Sequence, residues 1–277
     1  MNNFYIITNE QKDKDLRITN KIHNYIIQNG RNCILSVRDS EGHILRDTVP
    51  KGIECAVVLG GDGTMIRAAR ELAGLEIPLL GINLGTLGYL TEAEAADYRP
   101  ALDRVFEQKS NIENRMMLRG TINGELHNTA LNDIVIAREG NFRIVGFDIF
   151  VNGIHLNKYL ADGMIISTPT GSTGYNMSAG GPIVEPTASL IVLTPICCHA
   201  LNNSSIVLSG EDIIEVEISA DRYGGREQVA IAFDGADKIS LVTGDRITIR
   251  RSGKVTKLVK LTEESFMKTM SKKMKGN

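Results

Sequence analysis

Tryptophan is absent from the 277 residues, and aromatic side chains make up only 5% of them. A chain so poor in aromatics offers no platform on which successive bases would stack. Charge of one sign is missing too. Lys and Arg number 31 against 33 Asp and Glu, a net charge of -2, so nothing suggests nucleic acid or an anionic membrane as partner. The four cysteines, at 33, 55, 197 and 198, form no CxxC pair, and five scattered histidines add no zinc-binding spacing. Cys33 and Cys55 sit in apolar segments and read as small core residues. No apolar run approaches the roughly 20 residues that cross a bilayer. The opening MNNFYIITNEQ is too short in apolar length for a signal peptide. Together these absences lead us to expect a soluble protein of a reducing cytoplasm.

What is present is ordinary globular material, 42% hydrophobic and 23% charged, long enough for one large or two modest domains. The first third alternates strand and helix. Apolar runs at 4–8, 33–37, 55–60 and 78–83 read as strands. Residues 12–29 read as a helix with Leu16, Ile22, Ile26 and Ile27 toward the core, and 64–74 as a helix closed by Gly74. Short all-apolar strands between helices predict a Rossmann-like parallel sheet covered on both faces. After a helix around 95–108, alternating segments such as DIVIARE, IIEVEIS and VAIAFDG predict a β-rich, antiparallel region. The last 16 residues return to a helix, with Phe266, Met270 and Met274 on one face and lysines on the other. Its narrow apolar stripe suits packing on the N-terminal domain better than lying on a membrane. The expected architecture is an α/β domain, 1–104 joined by 262–277, and a β-rich domain, 105–261. With no repeat and no proline-rich linker, the two should be tightly joined around a cleft.

Chemistry concentrates in three turns. In VVLGGDGTMIRAARELAG (57–74) a strand runs into Gly60-Gly61-Asp62-Gly63-Thr64 and then a helix, the place where α/β sheets bind ligands and where free N–H groups favour an anion. The turn is neither a Walker loop, which needs GxxxxGK[ST], nor a full GxGxxG fingerprint, because Ile66 stands at the third glycine. Asp62 occupies the place where phosphate loops usually carry lysine. Two readings are open. Asp62 is a turn or N-cap residue, or a carboxylate that accepts a proton from an attacking hydroxyl or helps hold magnesium. The second turn, GINLGTLGYL (81–90), is either a domain connection or a ligand loop that presents Tyr89. The third, DGMIISTPTGSTGY (162–175), runs from a strand into a tight Thr-Pro-Thr-Gly bend whose N–H groups suit an anion nest. Ser172 lies outside any GxSxG elbow and has no histidine near it in sequence, which argues against a serine hydrolase.

GGDGT (60–64), GINLGTLGYLTE (81–92), Leu131-Asn132-Asp133 and DGMIISTPTGSTGYNMSAGGP (162–182) stand in the order and spacing found in NAD kinases, and the chain resembles that family from about 55 to 235. Lipid kinases and phosphofructokinases carry similar GGDG turns but lack the Asn-Asp trio and the long hydroxyl-rich run. The resemblance implies transfer of a phosphoryl group from ATP or polyphosphate to the 2′-hydroxyl of NAD, with Mg or Mn bridging donor phosphates. It makes Asp62 the general base and possible metal contact, with Gly61 and Gly63 leaving room for it. Asn132 and Asp133 would hold adenosine and ribose hydroxyls, and Asp162 would lie near the nicotinamide. Thr173, Gly174, Tyr175 and Ser178 would surround the adenine and ribose, and Tyr89 would pack on the dinucleotide. Two departures stand out: Gly174 where alanine is usual, and Asp133 where glutamate is common. The turn Phe233-Asp234-Gly235 resembles a late Asp-Gly turn of the family but also fits a common hairpin. Thr64 and Arg67 are candidates for the phosphate donor, Arg67 competing with its reading as part of a solvated helix face. A homodimer or homotetramer built through the β-rich domain is implied, with neither nucleic acid nor membrane as partner. A lipid kinase and a catalytically silent NAD(P) sensor are the rival readings.

Overall fold

The computed structural model describes residues 1–85, 88–140, 144–199, 204–220, 225, 227–236, 238–262 and 265–275. The chain divides into two compact units, Met1–Asn114 with Val255–Asn277, and Arg115–Lys254.

The first unit is α/β. Strands β1 (Asn3–Thr8), β2 (Asn32–Leu35), β3 (Cys55–Gly60) and β4 (Leu79–Asn83) form a parallel sheet in the order β4-β3-β1-β2. Helices α1 (Arg17–Gln28), α2 (Asp62–Glu71) and α3 (Tyr98–Phe106) connect it, and a short strand β5 (Ala93–Glu94) pairs beside β4. Every residue of β3 and β4 is buried, as an all-apolar strand in the middle of a parallel sheet should be. The edge strand β2 departs from expectation. Ile34 and Leu35 are exposed, because an edge lacks a neighbour on one side. Ile27, expected in the core, is also exposed. Ile22 and Ile26 already fill the stripe of α1 that faces the sheet, and the next position turns about 100° away. Before α1, the buried Asp13 carboxylate accepts the N–H groups of Ile18 and Thr19 at 2.9 and 2.8 Å and the Thr19 hydroxyl at 2.7 Å. Burial raises its pKa, but these bonds outweigh burial and leave it below the ordinary value.

The second unit is antiparallel. One layer runs β13-β12-β11-β8-β15-β16, and another pairs β10, β9, β14 and β17 in that order. A hairpin joins β6 (Asn111–Ile122) and β7 (Glu125–Ala130). The remaining strands are β8 (Asp133–Arg138), β9 (Val145–Val151), β10 (Ile154–Ala161), β11 (Gly163–Ser167), β12 (Leu190–Ile196), β13 (Ile206–Ser209), β14 (Ile214–Ser219), β15 (Gln228–Phe233), β16 (Ile239–Val242) and β17 (Arg246–Lys260). A single turn of helix, α4 (Tyr175–Ser178), follows β11. Ile134, Ile136, Met164 and Ile166 from the first layer meet Phe147, Ile149, Val216 and Ile247 from the second in one core. The alternation of IEVEIS appears as buried and half-buried residues in turn.

The last residues of β17 return to the first unit, where Leu258 pairs with Leu79, and helix α5 (Ser265–Met274) follows. Lys260 and Glu92, both buried, form an ion pair, and Glu92 also accepts the Leu261 N–H at 2.9 Å. Phe266 packs against Tyr89 with ring centroids 6.0 Å apart. The side chain of Met274 lies outside the described residues.

Candidate active site

Asp62 opens α2 directly beyond β3, at the helix position where N–H groups lack intrahelical partners. Its carboxylate accepts the N–H of Tyr89 at 2.8 Å and of Leu90 at 3.0 Å, so it draws the second glycine turn onto the first. Gly88, which the sequence did not single out, clears room for the Asp62 side chain itself. A methyl group on Gly88 would stand 1.8 Å from Asp62 Oδ1, whereas one on Gly63 would meet nothing within 4 Å. A carboxylate has about four lone-pair positions, and two N–H bonds leave the others open. Thr86 and Leu87, within the second turn, lie outside the described residues.

Asp62 borders a cleft of about 1140 Å³ within the first unit. Gly61, Gly63, Thr64 and Arg67 line it as well, and no described lining residue is aliphatic or aromatic. Thr64 is buried and accepts a hydrogen bond from Asn9 Nδ2 at 3.2 Å, which ties α2 to the loop after β1. Tyr89 faces α5, where the Lys273 ammonium lies 4.3 Å from its ring centroid. Burial, and then the Asp62 carboxylate, raise the Tyr89 phenol above its ordinary pKa.

The second group of predicted residues gathers where β8 and β11 pair, with Ser167 opposite Asp133. This register sets the turn 131–133 against the turn after β11. Thr168 fastens them: its hydroxyl donates to the Leu131 carbonyl at 2.6 Å, and its N–H donates to the Asn132 carbonyl at 2.8 Å. Asp234, in the left-handed region at φ 52, accepts the N–H groups of Leu131, Asn132 and Asp133 at 2.8, 2.7 and 3.2 Å. Its side chain thus anchors the Asn-Asp turn, a role the Asp-Gly dipeptide alone did not disclose. Asp133 is buried, and its pKa is pushed up to about 7, first by burial and then by the Asp234 charge. Asn132 Oδ1 is buried and accepts no hydrogen bond among the described residues.

Gly174 faces the Asn132 amide and the Asp133 carboxyl. A methyl there would stand 3.4 Å from Asn132 Nδ2 and 3.9 Å from Asp133 Oδ2, with the Gly171 carbonyl at a tight 3.2 Å. Thr173 is partly exposed, and its hydroxyl points back to the Thr170 carbonyl at 3.4 Å. Tyr175 and Ser178 are exposed. Asn176, between them, was missed by sequence reasoning because nothing in YNMS distinguishes it. It is fully buried and donates to the carbonyls of Ser172 and Pro182 while accepting the Thr194 hydroxyl at 2.7 Å. Ser172 is also buried. Its hydroxyl donates to the Pro169 carbonyl at 2.7 Å and accepts the Val184 N–H at 3.0 Å. It is therefore a brace of the turn.

Asp162 does not join this group. It precedes β11 at the far end from the turn, about 16 Å from Ser167 at the usual strand rise. Its carboxylate pairs with Arg138 Nε at 3.2 Å.

The chain matches two family models, the ATP-NAD kinase N-terminal domain over residues 7–110 and the C-terminal domain over 131–261. The NAD kinase of Agathobacter rectalis is 47% identical, covering 100% of this chain and 99% of the relative. The NAD kinase of Lachnoclostridium phytofermentans is 43% identical over 96% of both. The chain belongs to the NAD kinase family. Among solved structures, an NAD kinase from Archaeoglobus fulgidus in complex with ATP matches with a TM-score of 0.77 and 26% identity, covering 98% of both chains. Yeast NADH kinase complexed with NADH shares the fold, with a TM-score of 0.89 and 22% identity, covering 100% of this chain and 88% of that one. NAD kinase activity places phosphoryl transfer at the centre of this chain's chemistry.

Proposed function

We propose that the chain phosphorylates the adenosine 2′-hydroxyl of NAD with ATP or inorganic polyphosphate, giving NADP, and that Asp62 is the general base. The observation that carries this reading is the Asp62 carboxylate, held by two loop N–H groups at the edge of the cleft with lone pairs to spare. A ribose hydroxyl is a weak acid, and a fixed carboxylate at hydrogen-bond distance takes its proton as the oxygen attacks the terminal phosphorus. The phosphorus–oxygen bond to the rest of the donor breaks, and ADP or a shortened polyphosphate leaves. Thr64 and Arg67, which line this cleft, would face the donor phosphates.

Asn132, Asp133, Thr173, Gly174, Tyr175 and Ser178 would receive the adenosine part of NAD. The unpartnered Asn132 Oδ1 supports this, since a buried acceptor is costly until a ligand donor satisfies it. Tyr89 would border the dinucleotide, and Asp162 would serve the nicotinamide end. Among the described residues no three carboxylate, histidine or cysteine side chains gather as a metal cage. Mg or Mn would instead be held by Asp62 together with donor phosphates, the mixed ligation that Mg²⁺ favours. Bound there, the cation would neutralise charge on the transferring phosphate. A lipid acceptor fits this cleft poorly, because its described lining is polar and charged.

We further propose a cytoplasmic homodimer or homotetramer built through the β-rich unit, and two domains divided near 104/105 and 261/262. Exposed Ile154 and Leu156 on β10, an end strand of its sheet, support assembly there. No described helix is long and apolar enough to cross a membrane.

The test is NADP formation from NAD, ATP and magnesium by the wild type and Asp62→Asn. Activity that collapses in the variant while NAD still binds supports the reading. A wild type that binds NAD but transfers phosphate from neither ATP nor polyphosphate would sink it.

A further inference from the structure

The glycine-aspartate turn lacks the lysine that phosphate loops usually carry, but the fold brings one to it. Lys12 lies in the loop between β1 and α1, 50 residues before Asp62 in the chain. Its ammonium stands between the two glycine turns: a methyl group built on Gly61 would be 3.3 Å from Nζ, and one on Gly85 would be 3.5 Å from it. Among the described residues, no carboxylate or carbonyl takes this ammonium in an ion pair or hydrogen bond. Lys12 lines the same cleft as Asp62.

Two guanidinium groups line that cleft as well. Arg38 donates from Nη1 to the Gly42 carbonyl at 3.0 Å, and Arg67 Nη1 lies 3.8 Å from where a methyl on Gly42 would sit. Arg38 Nη2 is buried and finds no acceptor among the described residues. Burial, and then the Arg67 charge, lower the Arg38 pKa. Like charges left this close are stabilised by an anion that reaches both. Carboxylates offset part of this charge: Asp39 is occupied by the N–H groups of Glu41 and His43, both at 2.9 Å, while Glu71 and the lining Glu10 favour the charged form of Arg38 by less than burial and Arg67 oppose it.

We propose that Lys12, supplied by the β1–α1 loop, is the phosphate-binding lysine of this site. Its ammonium contacts the donor's transferring phosphate between the two glycine turns, while Arg67 and Arg38 hold the phosphates behind it. The assignment rests on the reading of Asp62 as the base facing a phosphate donor. It divides the labour that a Walker-type loop gives to one segment: the turn beside Asp62 supplies N–H groups and the base, and a separate loop supplies the point charge. Lys12 is exposed, so replacing it removes charge without opening the core.

The experiment is calorimetric titration of inorganic tripolyphosphate into the full chain, as wild type, K12M and K12R, with Michaelis constants for ATP and binding of NAD measured on the same samples. K12M keeps the apolar stem and loses the charge. The expected result is at least about tenfold weaker tripolyphosphate binding and a similar rise in the KM for ATP, the scale of one lost charge-assisted contact. NAD affinity should stay within about twofold, and K12R should recover part of the loss. Tripolyphosphate binding by K12M equal to wild type overturns the assignment, as does a parallel loss of NAD binding. A wild type that forms no NADP, yet binds tripolyphosphate in a Lys12-dependent way, would overturn the proposed reaction and leave the phosphate clamp standing. Normal NADP formation with indifference to Lys12 would do the reverse.

Discussion

Asp62 and Ser172 each follow a fully buried strand, β3 in one unit and β11 in the other, yet their turns are held by opposite means. Around Asp62 the groups are charged and partly open. Among the described residues the carboxylate is fastened only to two loop N–H groups, and Lys12, Arg38 and Arg67 border the same cleft. Around Ser172 the groups are buried and, apart from Arg115, which donates to the Thr170 hydroxyl at 3.2 Å, neutral. Thr168, Ser172, Asn176 and Thr194 are almost fully enclosed, and each satisfies its hydroxyl or amide within the fold. Under the proposed assignment of substrates, the difference follows from what each turn would meet. Charge on a transferring phosphate is neutralised by charges that keep their capacity until substrate arrives, whereas recognition of a neutral nucleoside needs a rigid frame.

The comparison can be broken most directly at Asn176. Asn176→Ala removes three hydrogen bonds and takes the amide donor from the Ser172 and Pro182 carbonyls, while the Thr194 hydroxyl keeps Ser205 at 2.8 Å, so unfolding free energy should drop by about 3 kcal/mol. Denaturant unfolding reads it, and a change below about 1 kcal/mol would show that the frame is not what holds the turn. The matching change in the other unit, Asp62→Asn, should leave the melting temperature nearly unchanged while kcat falls at least ~100-fold. Steady-state kinetics beside a thermal melt separate the two, and a large loss of stability would erase the contrast.

Asp133 sharpens it through pH. Its folded-state pKa of about 7 lies above the ordinary carboxyl value of 3.8, so its ionisation opposes the native state. The penalty is absent below the ordinary value, grows as pH rises through the window between the two, and levels off above about 7. Against Asp133→Asn, the wild type should therefore lose up to about 1.4 kcal/mol of stability per pH unit inside that window. Parallel stability–pH curves for the two proteins would refute this. The smallest effect belongs to Arg138→Ala. Its pair with Asp162 is partly exposed, and its loss should cost under about 1 kcal/mol. A larger cost in chemical denaturation would mark Asp162 as part of the frame.

Much of this was legible in the chain. A short apolar run, three glycines and an alanine-faced helix announce β3, its turn and α2, because each preference acts within a few residues. The antiparallel layers were legible from alternation, and the third turn from Thr-Pro-Thr-Gly. Ile34 and Leu35 read as buried strand residues because apolar content does not say which strand will stand at an edge. Ile27 failed for a related reason: periodicity defines a stripe but not its width. Asp162 stands apart from the hydroxyl-rich turn because the five residues of β11 between them are extended.

The sequence by itself determined the strand–turn–helix units, the α/β-then-β order and the motifs that place the chain among NAD kinases. Each is written in contiguous residues whose propensities need no distant partner. Only the tertiary structure decided which residues meet. Gly88 clears space for Asp62 from 26 positions away, Asp234 holds a turn about 100 residues before it, and Lys12 reaches a turn 50 residues after it. Strand order and register create these meetings, and both are set by burying two whole faces at once, a condition no local window contains.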